Sequence, residues 1–163
     1  MSLLMLFEKI GFAVNWEIIR YGLIDNEMLS VKEINDYADK ILLDSLDIDN
    51  KNITLLSFLK EKNEIIVVLK KIAPTISDQT KKKWHIVLLQ KNIDETLKMK
   101  GSFRDKAEHL YTYWHYSEFF NESPFVCDKT FMSSPLDIST QMLLEKLISS
   151  HQLYLEKEIK LLR

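Results

Sequence analysis

The chain has one cysteine, three glycines and three prolines in 163 residues, and no long apolar run. Each shortage excludes something. Cys127 alone forms no internal disulfide and no thiolate zinc cluster, which leaves a reducing cytosol as the expected compartment. Gly11, Gly22 and Gly101 are too scattered to build GxGxxG, GxxxxGK[ST] or GxSxG, so phosphate cradles and a nucleophile elbow are excluded. So few turn residues argue against an all-β fold, which needs many tight reversals. No stretch reaches the roughly 18 apolar residues of a membrane helix. Met1–Phe7 is apolar, but Glu8 and Lys9 follow it without a basic leader or a cleavage pattern, so no signal peptide is expected.

What is present is the composition of a globular protein: 46% hydrophobic, 28% charged, net charge −2. The length suits one domain over residues 1–163. A mildly acidic balance counts against nucleic acid as a partner. The charge is uneven. Residues 1–60 carry 10 acidic and 6 basic side chains, and residues 61–163 carry 14 and 16.

Periodicity and capping residues predict an all-α, single-domain bundle of about seven helices. Asn15 caps a helix reaching Ile24. Ser30 and Glu33 form a capping box before Val31, Ile34, Tyr37, Ala38, Ile41 and Leu42, which recur at three- and four-residue steps. A short helix is expected over Ile53–Lys60. Ile65 to Val68 are all β-branched, which favours a strand, yet Ile65, Val68, Leu69 and Ile72 form a helical stripe; a buried helix is expected over Glu64–Ile72, ended by Pro74. Ser77 or Asp78 caps the next helix, to about Ile93, with Trp84, Val87 and Leu88 inward. Ser102 caps another, with Phe103, Ala107, Leu110, Tyr111 and Trp114 inward. Residues 121–135 read as irregular. Asp137 is the expected cap of a long last helix striped by Leu144, Ile148, His151, Leu155, Ile159 and Leu162.

The most unusual composition is His109–Tyr116, HLYTYWHY. His109, Tyr113 and Tyr116 share one helical side, and such a polar-aromatic surface suits protein recognition. Its simpler reading is an amphipathic helix with tyrosine hydroxyls at the core edge. His109 and His115 are six apart and cannot chelate a metal from one helix face; Asp105 and His109 have an i,i+4 spacing, but two ligands do not make a site. Cys127 beside Phe125 and Val126 reads as a small buried hydrophobe. An acidic run, Asp36, Asp39, Asp44, Asp47 and Asp49, fails as a calcium loop, because Lys51, Asn52 and Phe58 stand where ligands or glycine belong. It reads as a solvated surface that attracts a basic partner. His151, on the last apolar stripe, reads as a hydrogen-bonded core histidine.

Two stretches resemble a known family. Trp16-Glu-Ile-Ile-Arg-Tyr-Gly22-Leu-Ile24 with Ser30, Ile34, Tyr37 and Ala38, and Trp84 with Leu88, Leu89, Lys106, Leu110, Tyr111 and the aromatic run to Phe125, are similar to the bacterial "domain of unknown function 2247" family. In the second stretch this chain has His115-Tyr116-Ser117, with its proline delayed to Pro124, where an Asp-Tyr-Pro type of turn is expected. The resemblance implies a small bacterial cytosolic protein and no catalytic residue. By analogy, many small helical proteins of this charge serve as antidotes to secreted bacterial toxins.

The functional expectation is therefore a cytoplasmic, non-catalytic protein-interaction module of the immunity-protein kind. It needs no cofactor and no metal. It meets a basic protein partner, not nucleic acid or membrane, and is a monomer or weak homodimer. Its candidate contact residues are Asp36, Asp39, Asp44, Asp47, Asp49, His109, Tyr113 and Tyr116. The alternative is a small hydrolase-like enzyme, which requires His109, His115 and Cys127 to converge.

Overall fold

The computed structural model describes residues 2–44, 50–132 and 138–163. Among these residues every regular element is helical, as the periodicity predicts. The chain forms two compact units, Met1–Trp84 and His85–Arg163.

The first unit opens with α1 (Leu3–Ile10), which the sequence reading did not anticipate. The Ser2 hydroxyl accepts from Met5 N–H, Leu6, Phe7 and Ile10 turn inward, and Gly11 ends the helix at φ 90. In α2 (Trp16–Ile24) Asn15 Oδ1 accepts from Ile18 N–H at 2.9 Å, and Ile18, Ile19, Gly22 and Leu23 are buried. The Ser30–Glu33 capping box opens α3 (Val31–Asp44): Glu33 accepts from Ser30 N–H at 2.9 Å and Ser30 Oγ from Glu33 N–H at 3.3 Å. Next come α4 (Lys51–Phe58) and α5 (Lys62–Ile72). The β-branched run is helical in α5 because Ile65, Val68 and Leu69 bury one face while Val67 stands in solvent. α3 packs on α4, and α5 on both α2 and α4.

The long α6 (Asp78–Lys98) contributes residues to each unit. Ser77 is its cap, accepting from Thr80 N–H at 3.2 Å, and Glu17 accepts from Ser77 N–H. Trp84 is wholly buried in the first unit: its ring meets Phe7 edge-on at 4.8 Å, and its Nε1–H donates to Ile18 O at 3.0 Å.

In the second unit α7 (Phe103–His115) starts from a complete capping box between Ser102 and Asp105. Phe103 is the exception to its predicted face, being 37% exposed. The described part of the stretch expected to be irregular is built from short helical pieces: a 3-10 turn at Phe120–Glu122, α8 (Pro124–Cys127) and α9 (Lys129–Met132). The last helix, α10 (Gln141–Leu162), starts later than expected. Thr140 caps it, accepting from Leu143 N–H at 3.3 Å; Asp137 lies outside the described residues. Leu144, Leu147, Ile148, His151 and Leu155 form its buried stripe, which packs on α7 and α8.

Candidate functional site

The outer face of α3 carries the acidic candidates. Ile34 and Ala38 are buried on the inner side, so the 3.6-residue period turns Asp36, Asp39 and Leu43 outward in one row, with Asp44 beside it. All three carboxylates are exposed, and Leu43 is 86% exposed between them. Lys40 shares this face, but its ammonium is bonded to Glu8 at 2.8 Å, which holds its pKa above the usual lysine value. Asp47 and Asp49 lie outside the described residues.

The same helix is anchored from behind. Asn35 Nδ2 donates to Leu56 O at 2.5 Å and Leu59 O at 3.1 Å, supplying donors to carbonyls at the end of α4 that have no helical partner. Tyr37 OH donates to Val14 O at 2.9 Å, and its ring meets Trp16 at 5.0 Å. The acidic face is thus presented on a helix held at two tertiary hydrogen-bonded points. Asn35, which carries no periodicity signal, was not legible as an anchor.

The aromatic candidates on α7 separate from one another. Tyr116 is 83% exposed. Tyr113 is half-buried, and its hydroxyl does not face water. It donates to His85 O at 2.9 Å, and the phenol oxygen lies 2.9 Å from His85 Nδ1. A carbonyl only accepts, so the phenol proton points there, and Ser117 Oγ lies 3.2 Å from the same Nδ1. Burial pushes the Tyr113 phenol well above its ordinary pKa. Tyr113 thus braces His85 through its hydroxyl, while Trp114, Phe119 and Tyr154 also ring His85.

His109 is held similarly. Thr96 Oγ1 donates to Asn92 O at 2.8 Å, so at 2.8 Å it accepts from His109 Nδ1–H. Asp105 is spent on the capping box: it accepts from Ser102 N–H at 2.8 Å, and bonding with Ser102 lowers its pKa. His115 is exposed and stacks on Tyr111 at 5.9 Å. Cys127 is exposed, contrary to its expected burial, because the single turn of α8 turns Phe125 inward and leaves the thiol outside. Its Sγ donates to Asn121 O at 3.4 Å. Among the described residues the thiol pairs with neither histidine, so the convergence a thiol–imidazole site requires does not occur. No group of three or more His, Cys, Asp or Glu among these residues is placed to hold a metal.

Cys127 also borders an open groove of about 470 Å³ in the second unit. Tyr154 OH donates to Glu122 there at 3.0 Å, and Ser150 Oγ donates to Asp128 at 2.8 Å. Asp128 also accepts from Thr130 N–H at 2.9 Å, a bond that holds its pKa below the usual carboxylate value. These bonds satisfy the groove's carboxylates from within. A thiol reagent is expected to modify Cys127 completely in the native protein, at the same extent with and without denaturant. Labelling that requires unfolding would contradict its exposed position.

The class of protein this describes is a mainly α-helical one. The chain belongs to the family described as "Uncharacterized protein conserved in bacteria (DUF2247)", which it matches over residues 4–159. No curated protein and no solved structure matches it. No helix among the described residues is long and apolar enough to cross a membrane.

Proposed function

We propose that the protein is a non-catalytic interaction module that binds a basic protein partner through the outer face of α3, in the manner of immunity proteins that sequester toxins. The observation that carries this reading is the row Asp36, Asp39, Leu43 and Asp44. It sets exposed carboxylates around an exposed leucine, on a helix fixed from behind by Asn35 and Tyr37. An apolar centre rimmed by charge is how interfaces are built, and rim charges chiefly set association rate and partner choice. Its fixed backbone lowers the ordering cost of binding. The separate engagement of His109, His115 and Cys127 favours binding over hydrolysis. The reading carries with it a cytoplasmic location and no need for a cofactor.

The test is recovery of the tagged full-length protein from its host at low and at high salt, beside D36N/D39N/D44N. A stoichiometric basic protein is expected with the wild type at low salt. It is expected to be strongly depleted at high salt and with the triple variant. Equal recovery of the same partner by both proteins would remove α3 as the interface, and an acidic partner would overturn the reading.

A further inference from the structure

A second surface, of opposite sign, lies in the other unit. Residues 97–106 read Leu-Lys-Met-Lys-Gly-Ser-Phe-Arg-Asp-Lys, and join the end of α6 to the start of α7. Leu97 is 52% exposed and Phe103 37%. Lys98, Lys100 and Arg104 are exposed, while Met99 and Lys106 are half-buried. The one acid in the segment, Asp105, is folded back onto Ser102 by the capping box. The neighbouring acids lie a helical turn away from the tip. Of these, Asp94 accepts from Gln90 at 3.0 Å, Glu95 is bridged to Lys91 at 3.6 Å, and Glu108 sits on the next turn of α7. Gly101, at φ 157, supplies a backbone conformation that a side chain at this sharp reversal would resist.

We propose that this α6–α7 turn docks the protein on an anionic phospholipid surface. The argument is charge complementarity combined with shape. Four cations flank exposed leucine and phenylalanine side chains on a turn. An exposed turn brings its apolar groups to burial without a matching pocket when it meets a medium that deforms around them. The boundary between lipid headgroups and acyl chains is such a medium, and its phosphates lie at the depth the lysine and arginine side chains reach. Nucleic acid would match the cations, but offers Leu97 and Met99 little apolar burial. This is surface attachment, for which no membrane-spanning helix is needed, and it departs from the sequence expectation that excluded a membrane partner. It does not depend on the α3 reading.

The experiment is co-sedimentation of the full-length protein with vesicles of phosphatidylcholine alone, or mixed with phosphatidylglycerol. Binding to the anionic vesicles only is expected, declining with salt. Each cation lost is expected to weaken it about fivefold, so K98E/K100E/R104E should lower it by more than about a hundredfold. L97S, and L97S/F103S, should each weaken binding measurably while leaving the melting temperature close to wild type; L97S alone serves if the double variant unfolds. D36N/D39N/D44N should not reduce binding. Absence of binding, equal binding to neutral vesicles, or tighter binding to polyglutamate or RNA than to vesicles would overturn the proposal. So would sensitivity to the charge reversals with none to L97S.

Discussion

Replacing Gly22 with alanine is expected to destabilise the first unit by about 3 kcal/mol. In an ordinary helix interior the same change stabilises, because glycine costs roughly 0.5–1 kcal/mol relative to alanine. Here the sign reverses. A methyl group at Gly22 would overlap Cζ2 of Trp84, and would lie 2.8 Å from both Cη2 of that ring and Cδ1 of Leu29. The ring is the neighbour that does not retreat: Trp84 is fully buried, pinned by Phe7 and by its bond to Ile18 O, and Met28 and Leu29 N–H both donate to Gly22 O, which holds the backbone of the turn against the helix. Urea unfolding of G22A, W84F and the double variant measures this. The double variant is expected to be more stable than the sum of the single losses, because a smaller ring relieves the overlap. A G22A midpoint at or above wild type would show that the contact is not close.

The second large effect is acid sensitivity from His151. This residue is fully buried in α10. Trp114 Nε1–H donates to its Nε2 at 2.9 Å, and its Nδ1 faces Leu147 O at 2.7 Å. A tryptophan only donates and a carbonyl only accepts, so the ring is neutral with its proton on Nδ1. Burial lowers its pKa from 6.5 to about 4. Below pH 6.5 the unfolded chain takes up a proton that the folded chain refuses. The stabilisation is therefore complete above about pH 6.5 and is lost as pH falls toward 4, by about 3 kcal/mol in all. The hydrogen-bonded carboxylates of Asp105 and Asp128 act at lower pH, since their pKa values lie below 3.8. H151Q retains an acceptor for Trp114 without a titrating ring. The wild-type stability, followed by tryptophan fluorescence, should fall between pH 6.5 and 4.5 while that of H151Q changes much less. Parallel curves would place the acid sensitivity elsewhere.

Both effects rest on pairs that no sequence period reveals. The caps at Asn15, Ser30, Ser77 and Ser102 were legible because each is a local bond from a side chain to a backbone N–H three residues on. The helical nature of α5 was legible from the stripe Ile65, Val68, Leu69 and Ile72 despite β-branched propensity. α1 was obscured because its short apolar start, Met1–Phe7, shows no clear helical period before Glu8 and Lys9. Periodicity placed Trp84, Trp114 and His151 inward, but not against Gly22 or each other, since those contacts join residues tens of positions apart. For the same reason the hydroxyl of Tyr113 could not be assigned to His85. Cys127 was misjudged from its apolar neighbours, because α8 is a single turn and has too short a period to display.

The acidic row on α3 was legible as composition and as helix phase, whereas the anchors Asn35 and Tyr37 that fix it are tertiary. The most direct measurement of its role is the association rate of the recovered partner with wild-type protein and with D36N/D39N/D44N across a range of ionic strength. The wild-type rate should fall steeply with salt, and the triple variant should associate at least about tenfold more slowly at low salt with a much flatter dependence. Identical rates and identical salt slopes for the two proteins would contradict the assignment of this face to partner binding.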